Sequence, residues 1–221
     1  VLDSSSRVEN LNAQGSTVFG TGSGNTFDVS GLSNYTNTNV FSTRGGADVF
    51  VGSDVGEVVF GGNGNDTLSG NGGADVLFGG EGNDSLNGGG SGDALHGDNG
   101  SDILFGNGGG DTLNGQDGRD VIHGGKGNDV LSGGAKADVF VFEDSWGEDT
   151  ISDFSTNNKE DIDLSAVSQI TNFADLLANH LRVNGDDFAE IYVGANSIVL
   201  TGVDIADIGV GLAYSQADFI F

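Results

Sequence analysis

From Thr43 to Val141 the sequence keeps a nine-residue phase for eleven consecutive rows without a gap. Glycine holds the first row position in ten rows and the fourth in eight, and thirty of the 41 glycines fall in these rows. The sixth position reads Asp48, Glu57, Asp66, Asp75, Asp84, Asp93, Asp102, Asp111, Asp120, Asp129 and Asp138. The eighth reads Phe50, Val59, Leu68, Leu77, Leu86, Leu95, Leu104, Leu113, Ile122, Leu131 and Phe140. Eleven apolar residues at one fixed position have odds of about 10⁻⁵ in a chain that is 36% apolar. Composition alone suggests a flexible glycine–aspartate linker, but a linker carries no such column. A fixed period of this kind marks stacked repeats that bury a common core.

The pattern is G-G-x-G-x-D-x-U-x, with U apolar, and rows 61–69, 79–87 and 124–132 meet it at every fixed position. It resembles the calcium-binding nonapeptide of the RTX (repeats-in-toxin) family. The resemblance implies an all-β fold, a right-handed parallel β-roll (β-solenoid) closed by a small C-terminal α+β cap. The rows themselves explain such a fold. Positions one to six are expected to carry a turn, where glycine permits positive φ and close backbone approach. Positions seven to nine are expected to form a short strand with its middle side chain inward. Two rows then make a coil of eighteen residues, with two parallel sheets and two stacks of turns. Five and a half coils stacked at the strand spacing span roughly 26 Å. Two facing columns of position-eight residues are a thin core against the ordering entropy of so much glycine.

The aspartates point to the missing stabilisation. Rows two apart share a side, so one stack holds Asp48, Asp66, Asp84, Asp102, Asp120 and Asp138, and the other Glu57, Asp75, Asp93, Asp111 and Asp129. Without a counter-ion these carboxylates repel. Ca²⁺ between successive turns lets each carboxylate serve the ions above and below, with turn carbonyls completing six or more oxygen ligands. The candidate carbonyl donors are Gly62, Gly64, Gly80, Gly82, Gly89, Gly100, Gly109, Gly118, Gly125 and Gly127. Adjacent aspartate pairs give about eight ions, five on the first stack and three on the second. Glu57, with Val55 in place of the fourth-position glycine, reads as a weak or empty site. Lys136 at that position in the last row weakens the expectation for the Asp120/Asp138 site.

Residues 1–42 read as calcium-poor N-terminal coils or linker. Phe27 and Phe41 keep position eight, but Asn25 and Asn39 replace the aspartate, with a five-residue insertion at 29–33. Residues 142–221 read as the cap. "EDTISDFSTNNKEDIDLSAV" (148–167) resembles the segment that closes the roll in RTX proteases, lipases and epimerases. That resemblance makes Asp149 and Asp153 secondary metal candidates. A helix is expected over 171–181, with Thr171 as N-cap and Phe173, Leu177 and Leu181 on one face. A hairpin is expected around 194–196. The terminal "ADFIF" (217–221) resembles the uncleaved C-terminal signal of type I secretion substrates; it also suits a short apolar strand on the cap.

Formal charge is −26, with 33 acidic residues against seven basic ones, so cations are the expected partners and nucleic acid is not. Cysteine is absent, no apolar run suits a transmembrane segment, and the first ten residues lack a cleaved-signal pattern. Methionine is absent even at position 1, so the sequence reads as part of a longer chain. There is no H-E-x-x-H and no G-x-S-x-G, and His96, His123 and His180 fall on separate elements. The expected function is therefore non-catalytic. The chain reads as a calcium-binding module of a secreted, extracellular Gram-negative protein, exported by a type I apparatus (ABC exporter, adaptor, outer-membrane channel) and supporting an upstream domain. A secreted enzyme with its catalytic domain upstream, or an adhesive solenoid, are the other readings. Outward apolar residues Ile103, Phe105, Val121, Val139 and Val141 suggest a cap folded back over the odd-row sheet, with Phe60 and Phe78 partly exposed on the other.

Overall fold

The computed structural model describes residues 17–20, 22–31, 39–155, 159–186, 188–208 and 214–221. The expected insertion lies partly, and the Asn39 side chain wholly, outside the described residues. The chain winds as a parallel β-solenoid of about seven turns. Among the described residues, odd rows feed a sheet of nine strands and even rows a sheet of eleven. The register steps by one coil along each: Leu68, Leu86 and Leu104 lie side by side in one sheet, Leu77, Leu95 and Leu113 in the other. Every position-eight residue from Phe50 to Phe140 is fully buried, and Phe27 and Phe41 extend the column towards the N-terminus. There the strand Thr26–Asp28 pairs with Val49–Val51 at a step of 23, one coil plus five residues.

The strands are longer than expected. Thr67–Gly72, Val76–Glu81 and Ser85–Gly90 run from position seven of one row through position three of the next, which leaves only a short turn. The glycine half stays in the ladder because every buried N–H and C=O there needs a partner, and the neighbouring coils supply it. Position two bends the strand through positive φ even where it is not glycine, as at Asn71 (φ 70°), Asp98 (φ 70°) and Gln116 (φ 72°).

The ladder does not stop at Val141. Glu148–Ile151 adds in parallel to Val130–Ala135, and Asp161–Ala166 to Val139–Glu143. Asn196–Leu200 then adds in parallel to Glu148–Ile151, and Phe219–Ile220 to Asp161–Ala166. The hairpin forms as Ala189–Val193 and Asn196–Leu200, joined across Gly194 and Ala195. The helix is shorter than expected, Phe173–Asn179, and its N-cap is Asn172, whose side chain accepts the Asp175 N–H. Phe173 and Leu176 are its buried residues, with Leu177 and Leu181 partly buried. Thr171 instead donates its N–H and hydroxyl to Asp175 Oδ2.

The C-terminal segment therefore stacks on the end of the roll and does not fold back over a face. Ile103 remains 40% exposed, and Phe105 is half-buried by stacking on His123 (ring centroids 4.5 Å apart). Phe60, 41% exposed, stacks on Phe78, which stacks on His96. End-on stacking wins because it pairs two open sheet edges and covers the Phe140 end of the core at once. Phe154, Phe173 and Phe219 meet beyond that end, with Phe140 and Phe154 rings 6.4 Å apart.

Candidate metal centre

Each turn presents its position-six carboxylate to the inside of the stack. On the first side the backbone N–H of Asp48 donates to Asp66 Oδ1 (2.8 Å), Asp66 to Asp84 (2.7 Å), Asp84 to Asp102 (2.8 Å), Asp102 to Asp120 (2.9 Å) and Asp120 to Asp138 (2.9 Å). On the second side Glu57 donates to Asp75 (2.7 Å), Asp75 to Asp93, Asp93 to Asp111 and Asp111 to Asp129 (2.8 Å each). Asp129 then donates to Asp149 Oδ1 at 2.9 Å. Each aspartate thus satisfies the N–H one coil back, and the ladders run in one direction.

The second oxygen is different. Oδ2 of Asp48, Asp66, Asp75, Asp84, Asp93, Asp102, Asp111, Asp120, Asp129, Asp138 and Asp149 is buried and has no hydrogen-bond donor. A buried carboxylate oxygen left without a partner is costly. Burial pushes Asp66, Asp84, Asp93, Asp111 and Asp138 up to about 6, with neighbouring carboxylates adding to the rise. Asp75 and Asp102 reach about 7 and Asp149 about 8 for the same reasons. Asp120 and Asp129 are raised as well, chiefly by burial. The Lys136 ammonium partly offsets the rise at Asp120 and Asp138.

The first-position glycine explains how these oxygens are reached. A Cβ on Gly61 would lie 2.5 Å from both Asp66 Oδ2 and the Gly79 carbonyl; on Gly97 it would lie 2.5 Å from Asp102 Oδ2 and 2.8 Å from the Gly115 carbonyl. Glycine leaves a cradle between a carboxylate oxygen and the next coil's carbonyl. Among the described residues no three acidic or histidine side chains converge, and the carbonyls bordering the cradle are the other protein oxygens beside each Oδ2. Buried anionic oxygens, carbonyls and no nitrogen or sulfur donor suit a hard cation of calcium's flexible coordination.

Carbonyls of Gly62, Gly64, Gly82, Gly100, Gly109 and Gly127 point along the roll, since a Cβ on Gly80, Gly82, Gly100, Gly118, Gly127 or Gly147 respectively would run into them. Gly80, Gly89, Gly118 and Gly125 hold the equivalent second and fourth positions. The first-position carbonyls, such as Gly79 and Gly115, were not singled out by the sequence; only the geometry brings them to the cradle.

The secondary candidates separate. Asp149 is a full rung of the second ladder. Asp153 has both oxygens engaged, by the Ser132 hydroxyl (2.6 Å) and the N–H groups of Gly133 (3.1 Å) and Gly134 (2.9 Å). Glu57 is buried and turns back on its own turn, accepting the Ser53 hydroxyl at 2.5 Å. Glu160, buried beyond Asp138 on the first side, accepts the Ser155 N–H at 2.5 Å.

An outer stitch was also missed. Asn65 Oδ1 accepts the Asn83 N–H and Asn83 Oδ1 the Ser101 N–H, both at 2.9 Å, and Asn128 Oδ1 accepts the Glu148 N–H at 3.1 Å. Its signal is the Asn-Asp dipeptide at 65–66, 83–84 and 128–129. The histidines do not assemble. His96 and His123 stack on phenylalanines of different sheets, and His180 Nδ1 lies 3.0 Å from the Tyr192 carbonyl in the C-terminal segment. No described helix is long and apolar enough to cross a membrane.

No curated protein sequence matches the chain. Among solved structures it is similar to the extracellular lipase LipA from Serratia marcescens, at 16% identity and a TM-score of 0.40 over 85% of this chain. The match covers 45% of the lipase chain, so this sequence spans less than half of that protein's length. The family model of the RTX calcium-binding nonapeptide repeat (4 copies) matches residues 51–86, 69–104 and 105–140. Residues 51–140 are an array of RTX calcium-binding nonapeptide repeats.

Proposed function

We propose that the chain is a non-catalytic module that folds on calcium and serves as the C-terminal part of a secreted protein. The observation that carries this reading is the row of buried aspartate Oδ2 atoms without a donor, those from Asp66 to Asp138 each beside a first-position glycine. Paired rungs would hold the ions: Asp66/Asp84, Asp84/Asp102, Asp102/Asp120 and Asp120/Asp138 on one side, and Asp75/Asp93, Asp93/Asp111, Asp111/Asp129 and Asp129/Asp149 on the other. Bound calcium supplies positive charge between carboxylates that otherwise repel, and turn carbonyls complete its oxygen shell. Because the cradle exists only when coils are stacked, binding free energy becomes folding free energy.

The reading extends to export. A chain that stays unfolded where calcium is scarce remains threadable through a type I exporter, adaptor and outer-membrane channel. It folds outside, where sites of the 10⁻⁴–10⁻³ M class fill. Support comes from the RTX repeats, the −26 charge and the apolar tail after Asp218. Titrating calcium into chelated chain should give a steep rise in β-sheet circular dichroism. Full β structure in excess chelator at pH 7.5 would end the calcium reading. Loss of export on deleting 217–221, in cells carrying a type I apparatus, tests the secretion role separately.

A further inference from the structure

We infer that the N-terminal coils close both carboxylate ladders with protein groups in place of ions, so that calcium occupancy begins at Asp66 on one side and at Asp75 on the other. The inference rests on the calcium reading above and adds where the ion rows end. In the interior rows the space before the first-position glycine is an open cradle. Three N-terminal rows alter it, one by filling the space and two by changing the group at the Oδ2 seat.

In row 20–28 the Asn25 side-chain nitrogen lies 3.1 Å from where a Cβ on Gly20 would stand, the seat that an aspartate Oδ2 takes elsewhere. An amide nitrogen is a donor and cannot ligate a cation. That nitrogen donates to Asp48 Oδ1 at 2.9 Å, and the Asn25 backbone N–H donates to the same oxygen at 2.5 Å. Asp48 is thus held by two N–H groups where Asp84 has the single N–H of Asp66.

In row 43–51 threonine replaces the glycine. Thr43 is fully buried, and its hydroxyl donates to the Gly61 carbonyl at 2.5 Å. Gly61 is the counterpart of Gly79 and Gly115, whose carbonyls border the open cradles further along. The Asp48 Oδ2 has no donor, like its counterparts, but a threonine side chain already stands in the space an ion would need.

In row 52–60 glutamate replaces aspartate. Its extra methylene brings Oε1 to the Ser53 hydroxyl (2.5 Å) and Oε2 to the Ser53 N–H (3.4 Å). Oε2 lies 2.8 Å from the Cβ position of Gly52, the same seat again. Thr43, Asn25, Ser53 and Glu57 therefore form a metal-free end plate over both ladders. The physical need is plain: an ion takes oxygens from the coil on each side, and the last ion of an open ladder would keep only half its ligands.

The test is the number of calcium ions bound per full-length chain after equilibrium dialysis in saturating calcium, with folding followed by circular dichroism. Asp48→Asn, which keeps the Oδ1 acceptor, should bind as many ions as wild type. Asp84→Asn should lose at least one. Thr43→Gly, which opens the cradle, should gain one. Loss of an ion in Asp48→Asn, or no gain in a folded Thr43→Gly, overturns the inference while the calcium reading stands. Should Asp84→Asn keep every ion, the ladder reading itself fails.

Discussion

Acid should substitute for calcium. The folded, metal-free roll holds Asp84 at about 6 against an ordinary 3.8, because burial penalises its charged form. The folded state therefore binds protons more tightly than the unfolded chain between roughly pH 4 and pH 6. Stability from this group is fully present below the unfolded pKa and is lost as pH rises through the folded one. A rise of two pKa units corresponds to about 3 kcal/mol of destabilisation at pH 7.5. Asp66, Asp93, Asp111 and Asp138 are raised to the same level, and Asp75, Asp102 and Asp149 further. A few such groups together match the entire stability of an ordinary domain, about 5–15 kcal/mol. The full chain in excess chelator should thus be largely disordered at pH 7.5. On acidification to about pH 5 it should gain β-sheet circular dichroism and resistance to urea, with no metal added. In calcium the dependence should reverse, with more calcium needed at pH 5.5 than at pH 7.5, since protons compete for the same oxygens. A chelated chain that stays disordered down to pH 4.5, together with a calcium midpoint independent of pH, would refute the reasoning.

Asp84→Ala strips an acceptor from the buried Asp66 N–H (2.7 Å), a cost of about 1–3 kcal/mol, and on the proposed calcium reading a ligand from two ions; it should shift the calcium midpoint in a circular-dichroism titration much further than Glu57→Ala. Asp149→Ala should likewise raise the calcium needed, through the Asp129 N–H it leaves without its acceptor, whereas Asp153→Asn should change thermal stability but not the number of ions bound. Deleting 142–221 uncovers both sheet edges and the Phe140 end of the core, so the remaining repeats should stay largely disordered in millimolar calcium by the same spectroscopy. Asn83→Ala removes only an exposed stitch to Ser101, so it should cost about 1 kcal/mol or less in urea unfolding, with calcium or without.

The roll was legible because one period governs both its core and its charges. Position eight fixed the inward column, and the nine-residue phase placed Asp66, Asp84 and Asp102 on one side without reference to coordinates. The phase concealed the ends. Asp149 follows Asp129 by 20 residues and Asp161 pairs with Val139 at a step of 22, so a search for gapless rows stops at Val141. The residues "DTIS" and "EDID" nevertheless keep the acid-x-apolar-x half of the motif. The length of the strands was hidden for another reason. Glycine has poor intrinsic strand preference, and only the stacking of one coil on the next reveals that positions one to three are paired. The helix N-cap shifted by one residue because Thr171 and Asn172 are both good caps, and it is the Asn172 side chain that takes the Asp175 N–H. Thr43 could be read as a missing glycine, but not as a hydroxyl aimed at the Gly61 carbonyl.

Anomalous diffraction from crystals grown in calcium tests the central claim most directly. The account predicts two rows of calcium peaks, spaced by about one strand separation of 4.8 Å, each ion lying between Oδ2 atoms of successive aspartates from Asp66 to Asp138 and from Asp75 to Asp149. Calcium found only at the exposed turn residues, with those Oδ2 atoms still lacking any partner in a fully folded roll, would contradict it.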